Sequence, residues 1–583
     1  MKQYLVDLKH DVPVSTQMGA ICADYSSGQY KSLLIHIFSG ISDEEYLLQL
    51  VRELGECCGT DLIVGTMSAG EIRDGKVMPQ GVLISAMLFE TSAVQIIRYD
   101  NVKGDEVETG IGLCQRLNSI PDIKGVELLF PGTKMDTQQM FAEIGRCNPG
   151  IQIFGGYPGG HKPNSPEHFI FDTRDVMYNA LLAVTYSGVD LHFNMNKTLG
   201  WVPVGMPFKI TKADGKHLIE LNGKPAAEVY EKFLQIDRKL YNNAEEALEF
   251  PLLAHLDGDH YLRSVDHIEE DGSIWMHGFT NEDMDVQLTY GDPTRIVEMV
   301  NQRLEEMRLF RPQAILLYSC IVRKFFWESF TDMEMEPFAR IASTAGFHTW
   351  GEVLRNTQNG YLGENNITLL SIGIREGEAP ADELPPIRVD DTVLQGQASV
   401  LRRMSRLVYT SMEELQRAHN KLTYLAEHDA LTGLYNRGTI EKLIDGAMDK
   451  GLTSLVMADL DHFKRVNDNH GHDVGDTTLR EIADILSASI KSYPGAYAGR
   501  WGGEEFFVML PGIDESKAMI YANNLRHVVD HHIFPTIGHL TISQGVITVR
   551  NCSDYKIAYK NVDDALYTAK DSGRNTVVQA ESL

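Results

Sequence analysis

Between residues 394 and 425 the chain repeats a spacing that admits few folds. Leu394, Leu401, Val408, Leu415 and Leu422 are seven apart, and Gln397, Met404, Ser411, Ala418 and Leu425 fill the alternate seam. A 3-4 spacing held for more than four heptads predicts a long helix that pairs with another as a coiled coil. Gln397, Ser411 and Ala418 weaken that seam, and the alternative is one amphipathic helix packed on its own domain. The helix separates two longer stretches, and 583 residues are too many for one hydrophobic core. Three zones result. Residues 1–375 mix short apolar strands, such as Val126–Phe130 and Ala314–Tyr318, with helical stretches and Gly-rich turns. Residues 376–428 hold an acidic, proline-bearing linker (Gly377-Glu378-Ala379-Pro380 through Leu384-Pro385-Pro386) and the heptad helix. Residues 429–583 alternate strands and helices.

Composition narrows the chemistry. No basic segment followed by an apolar stretch opens the chain, and no apolar run approaches the roughly 20 residues that span a bilayer. A cytoplasmic protein without membrane contact is expected. The seven cysteines form no CxxC pair. Adjacent Cys57 and Cys58 suit neither an ordinary disulfide nor a zinc site, so reduced structural thiols are expected. A formal net charge of -28 argues against nucleic-acid or anionic-membrane binding. Such a protein can handle a polyanionic nucleotide only with metal ions or a few well-placed cations.

The third zone has the means. The apolar strand Ser454–Ala458 runs into Asp459-Leu460-Asp461, and carboxylates at a strand mouth can hold hard cations. Some forty residues later comes a predicted hairpin, Gly495–Leu510, with Gly502-Gly503 at its tip and Glu504-Glu505 starting the return strand. Paired glycines permit a tight tip and close approach of a phosphate. If the two strands are neighbours, Asp459 and Glu504 converge on a site fit for two-metal phosphoryl transfer. Helices are predicted at Asp473–Ile490, Ser516–His531 and Val562–Ser572, and a strand at Leu540–Val549. This order suggests an α/β sheet of the split βαβ type. Asp461 is read as a turn or capping residue, and His470 and His472 as turn residues. Arg500 is expected to organise the hairpin through a carboxylate, and Phe463, Phe506 and Phe507 to pack the core.

Four segments together resemble the GGDEF family of diguanylate cyclases from Asp429 onward. They are Asp429–Arg437 (DALTGLYNR), Asp459–Asp476 (DLDHFKRVNDNHGHDVGD), Gly502–Phe506 (GGEEF) and Ala565–Asn575 (ALYTAKDSGRN). The resemblance implies that two GTP are condensed to cyclic di-GMP with the help of two Mg²⁺ per active site, Mn²⁺ being an alternative ion. It implies that Asp459, the Leu460 carbonyl and Glu504 bind metal, with Glu505 assisting there or deprotonating the ribose 3′-hydroxyl. Asn467 and Asp476 would read guanine; a carboxylate accepts from N1–H and the exocyclic amine, which favours GTP over ATP. Lys464, Lys570 and Arg574 would face the triphosphate, and Gly502 and Gly503 would leave room for the ribose and α-phosphate. Where many relatives carry an inhibitory Arg-x-x-Asp, this chain has Tyr493 and Ala496, so no product-inhibition site is expected.

The first zone resembles the FIST sensory domain, in N-terminal and C-terminal parts divided near residue 225. The carriers are Gly65–Ile72 (GTMSAGEI), Phe154-Gly155-Gly156 and Ala345–Val353 (AGFHTWGEV), none of them a GxGxxG or Walker A loop. Their glycines are otherwise read as turn glycines between strands. The resemblance implies a small-molecule effector, amino acids being a suggested class, that acts through the heptad helix of a homodimer. Two other readings compete: a non-catalytic GTP-binding receptor, and an enzyme of the same fold making another cyclic nucleotide. The complete Gly-Gly-Glu-Glu-Phe opposes the first, and Asp476 opposes an adenine-tolerant pocket.

Overall fold

The computed structural model describes residues 1–582 except 132–134, 136, 161–167, 235–249, 257, 279, 357–359, 382, 391–397, 449–450 and 551–554. The chain forms two units, Met1–Thr410 and Ser411–Leu583. Among the described residues no helix is long and apolar enough to cross a membrane.

In the first unit, three six-stranded sheets each hold one parallel strand pair among antiparallel neighbours. The pairs are Ser32–Ser39 with Ile63–Met67, Ile123–Leu129 with Gln152–Gly156, and Ala314–Cys320 with Thr344–Thr349. Parallel neighbours need a crossover. Helices Glu44–Cys58, Thr137–Ile144 and Ile321–Trp327 lie in those three connections. Asp43 caps the first of these by accepting from Tyr46 N, with Glu44 and Glu45 in the favourable first turn. A fourth, antiparallel sheet of eight strands has a pairing path that closes through Asp285–Gly291, around Ile210, Tyr230, Leu252, Val265 and Met276.

The three glycine-bearing stretches meet. Phe347 is opposite Glu71 and Gly346 opposite Ile72, while Val353 is opposite Gly155 and Glu352 opposite Gly156. Gly65, Gly155 and Gly346 therefore lie inside strands, which corrects their reading as turn residues. Around them are buried carboxyls. Burial pushes Glu352 up to about 8 and Glu71 up to about 7, from an ordinary 4.5. Glu352 accepts from Thr368 Oγ1 (2.6 Å) and Thr349 Oγ1 (3.0 Å). Both folded-state values lie above the unfolded one, so the contribution is fully present below pH 4.5 and is lost as pH rises through 7 to 8. The unfolding free energy of this unit should therefore fall by a few kcal/mol between pH 5 and 9. Glu352→Gln should flatten that slope to the share left by Glu71. Urea midpoints followed by tryptophan fluorescence check this, and an unchanged slope in the variant refutes it.

The elements of the second unit, with the helix that leads into it, are numbered in chain order. They are α1 Ala398–Glu427, β1 Tyr435–Asn436, α2 Arg437–Met448, β2 Leu452–Leu460, α3 Phe463–His470 and α4 His472–Ile490. There follow β3 Tyr497–Gly502, β4 Glu505–Pro511, α5 Glu515–His531, β5 Ile542–Arg550, α6 Tyr555–Asp571 and β6 Val577–Gln579. The sheet order is β1-β3-β4-β2-β5-β6, with β2 antiparallel to both β4 and β5. The split βαβ expectation is met by the order of the four central strands.

Both faces of this sheet are covered. Val456, Leu460, Phe506 and Val508 pack with α4 and α5, while Leu455, Met457, Phe507 and Met509 pack with α2 and α6. This period-2 alternation decides where the polar ends of β2 and β4 point. Two expectations are corrected. His470 and His472 are the last residue of α3 and the first of α4, not residues of a turn, and only Gly471 separates the helices. The final helix starts at Tyr555, seven residues before Val562, because Ala558 is also buried against the sheet. In the heptad region, Leu394 and Gln397 lie outside the described residues, as does the side chain of Leu401. The rest of the seam is on α1, where Met404, Val408, Leu415, Leu422 and Leu425 are exposed.

Candidate active site

β2 is buried from Thr453 to Leu460 and flanked on both sides, so its end is fixed in place. Asp459 follows Met457 on the face covered by α2 and α6 and is opposite Glu505 on β4. Glu504 is one residue short of the return strand, in the turn rather than in β4, a correction to the expected strand start. Its carbonyl accepts from Leu460 N at 3.3 Å. The register therefore makes Glu505, not Glu504, the direct cross-strand neighbour of Asp459. Glu504 still lies close enough that the Asp459 charge helps raise its pKa.

The turn is held by one side chain. Arg500 donates to the Gly503 carbonyl at 3.0 and 2.7 Å and to Asp429 at 3.2 Å. Asp429 in turn accepts from Thr432 N and Oγ1. The carboxylate expected for Arg500 is thus Asp429, some seventy residues away in sequence. Gly503 has φ +34 with open space where a side chain would project, so glycine relieves backbone strain here. A side-chain carbon at Gly502 would make only ordinary contact with Glu505.

Lys570, near the end of α6, sets its Nζ 2.8 Å from Asp459 Oδ2. It reaches there because α6 lies directly on β5: a carbon added at Gly545 would be 2.2 Å from the Val562 carbonyl oxygen. Arg574 has φ +66 just beyond the helix, is exposed, and its charge draws the Asp459 pKa down. Burial outweighs both cations, so the Asp459 carboxyl stays above the usual aspartate range. Burial, then the Asp459 charge, raises Glu504 and Glu505 as well. Three carboxyls thus sit in a crowded region with Lys570 as the ion-paired cation.

Asp461 is buried and accepts from Thr541 Oγ1 and Ser543 Oγ at 2.7 Å and from Asn575 N at 2.9 Å. It ties the end of β2 to the approach to β5 and to the turn after α6. The sequence reads Asp461 as a turn or capping residue; its partners Thr541, Ser543 and Asn575, distant in sequence, carry no local signal. Asn467 on α3 lies against Gly475 of α4, where an added carbon would be 1.9 Å from Asn467 Oδ1, and Asp476 is the next residue of α4. Lys464 is exposed on α3. Phe463, Phe506 and Phe507 are buried, as expected of packing residues. Tyr493 packs edge-on against Tyr521 at 5.3 Å, and Ala496 joins the same core. A cavity of about 280 Å³ opens beside Asp461, His462, Arg465 and His539, and none of the expected metal or GTP residues lines it.

Comparison with known proteins gives three family matches. Residues 426–576 match "Diguanylate cyclase, GGDEF domain", residues 33–224 the "FIST N domain" and residues 226–355 the "FIST C domain". Diguanylate cyclase DgcM of Escherichia coli (strain K12) is 35% identical over 172 residues, which is 29% of this chain and 42% of that protein. Response regulator PleD of Caulobacter vibrioides is 38% identical over 166 residues, 26% of this chain and 36% of that protein. The chain thus spans less than half the length of either relative. Among solved structures, the coiled coil and GGDEF domain of DgcB from Caulobacter crescentus, in complex with c-di-GMP, is similar at 26% identity and TM-score 0.29. It covers 31% of this chain and 100% of that one. The chain therefore carries a FIST N domain, a FIST C domain and, C-terminal to both, a GGDEF domain.

Proposed function

We propose that this chain is a cytoplasmic diguanylate cyclase that condenses two GTP into cyclic di-GMP and two pyrophosphates. The observation that carries the reading is Asp459 at the end of a buried strand, opposite Glu505, beside the Gly502-Gly503-Glu504 turn and paired with Lys570. The match of residues 426–576 to the GGDEF model supports it. The donor set suits a hard divalent ion, because the three carboxyls are all oxygen donors, raised above their usual range by burial and by the charge of neighbouring carboxylates. Asp459, the Leu460 carbonyl and Glu504 would hold Mg²⁺ or Mn²⁺, two ions per site. When bound, the metal supplies neutralisation of the triphosphate and a more acidic 3′-hydroxyl.

This chain's own groups do the rest. Asn467 and Asp476 hold the guanine edge, while Lys464, Lys570 and Arg574 pair with phosphate oxygens. Glu505 serves the metal or takes the 3′ proton, and Gly502 and Gly503 leave the ribose and α-phosphate unobstructed. Each 3′-oxygen attacks the α-phosphorus of the other GTP, forming a phosphodiester as the pyrophosphate bond to that phosphorus breaks. Two domains must therefore meet, a matter of proximity and orientation. The exposed apolar seam on α1 supports a homodimer through residues 394–425. A small-molecule effector of the FIST region would act by shifting the population of productive dimers.

Purified protein incubated with GTP, ATP or both in Mg²⁺, with products identified by mass, tests the proposal. Cyclic di-GMP from GTP alone is expected; unconverted GTP in well-folded dimers overturns the reading. Gly475→Ala tests base recognition. Its methyl must push the Asn467 amide aside, at the cost of a base contact worth about 1 kcal/mol or more. KM for GTP should rise roughly tenfold with a smaller change in kcat. An unaltered KM would remove Asn467 from the base site.

A further inference from the structure

Three cysteines from two helices meet in the first unit. Cys22 is on the short helix Gly19–Ser26, and Cys57 and Cys58 close the last turn of Glu44–Cys58. The sulfurs of Cys22 and Cys58 are 3.0 Å apart, those of Cys57 and Cys58 3.5 Å, and those of Cys22 and Cys57 3.9 Å. Adjacent Cys57 and Cys58 alone gave no hint of this, because the third member arrives from another helix. Cys58 is buried, while Cys22 and Cys57 are half-buried, so the group is within reach of solvent.

We propose that Cys22, Cys57 and Cys58 form a three-thiolate site for a thiophilic d¹⁰ cation of the Zn²⁺ class. Ordinary apolar packing does not account for the geometry, since non-bonded contacts run about 3.5–4.0 Å and Cys22 and Cys58 are closer. The triangle has the right size. The point equidistant from the three sulfurs is about 2.0 Å from each, so an ion at the Zn–thiolate distance of about 2.3 Å sits about 1 Å out of their plane. That is a pyramidal arrangement with a fourth position open to water or another donor. Sulfur-only ligands select Zn²⁺ or Cu⁺ over Mg²⁺ or Ca²⁺. A Cys22–Cys58 disulfide would use two of the sulfurs and leave Cys57 stranded beside it. Among the described residues no other group of three His, Cys, Asp or Glu ligand atoms lies within 4.8 Å of one another. Burial keeps the Cys57 and Cys58 thiols above their usual range, so metal uptake at neutral pH must displace their protons. The bound ion would tie Gly19–Ser26 to the end of Glu44–Cys58, two helices that share one core.

The test uses the full-length protein, reduced and kept from oxygen. Titration with Cd²⁺ should raise a thiolate-to-metal charge-transfer band saturating at one ion per chain, and Zn²⁺ added afterwards should compete for the site. Zn²⁺ uptake should release about three protons. Cys22→Ser and Cys57→Ser each remove a half-buried ligand and should weaken Cd²⁺ at least tenfold, whereas Cys114→Ser should bind as the parent does. Circular dichroism confirms that the variants are folded. A parent protein that takes up no Cd²⁺, or a band untouched by Cys22→Ser and Cys57→Ser, overturns the site. So does a reduced protein that ignores both ions but forms a Cys22–Cys58 disulfide in glutathione buffer, which would make the cluster a redox element.

Discussion

Asp459→Asn should lower cyclic di-GMP turnover by roughly a hundred- to a thousandfold, the scale on which removing one preorganised charge-stabilising group acts. The side chain is nearly isosteric, so the shape of the strand end survives. What goes is the anion that pairs with Lys570 Nζ at 2.8 Å and that would hold the divalent ion. Stability should move the other way. Burial holds Asp459 above its usual pKa despite Lys570, so ionising it costs the folded state free energy. The folded value exceeds the unfolded one, and that penalty grows as pH rises through the folded pKa. At pH 8 the Asn variant should match or exceed the parent in Tm while its kcat collapses. Such opposite signs identify a charge retained for chemistry, and merely structural damage would lower both. Glu504→Ala should lose turnover comparably; a variant keeping most of its activity would take that residue out of the site.

How much of this was legible in the sequence follows from which interactions are local. The strand Leu452–Leu460 shows in its apolar run, and the carboxylates at its end follow from their position. Period-2 alternation would have shown that Asp459 shares a face with Met457, but not whether Glu504 or Glu505 stands opposite. That register depends on where the turn ends, and the irregularity between Arg500 and Gly502 shifts it. The helix Phe463–His470 escaped because Asn467, Asp468, Asn469 and His470 are weak helix formers; tertiary packing of Phe463 and Val466 overrides them. The partners of Asp461 and the Asp429–Arg500 pair are contacts across the fold, invisible to spacing. The same holds for Cys22. In the first unit the glycines read as turns because Gly usually punctuates strands. Gly65 instead leaves room for the Phe171 ring, which would lie 2.1 Å from an added carbon.

A paired substitution on the heptad seam should also cut turnover, by a different route from the loss of Asp459. Leu415 and Leu422 are 62% and 66% exposed on α1. Burying a leucine is worth about 1.5–3 kcal/mol, and a symmetric dimer would bury four of these two per pair of chains. Their sum is comparable to the roughly 8 kcal/mol of a micromolar dimer, so losing them should dissociate it. Leu415→Asp with Leu422→Asp also sets four like charges along the seam. At low micromolar concentration cyclic di-GMP synthesis should then fall more than tenfold. Activity per chain should climb with protein concentration as the GGDEF domains meet by collision. GTP binding by each chain should be unchanged, because both substitutions lie before Asp429 and outside the strand-end site. Sedimentation and activity measured across a hundredfold concentration range read these outcomes together. A monomeric double variant with the parent's turnover at every concentration would mean that the helix does not bring the two half-sites together.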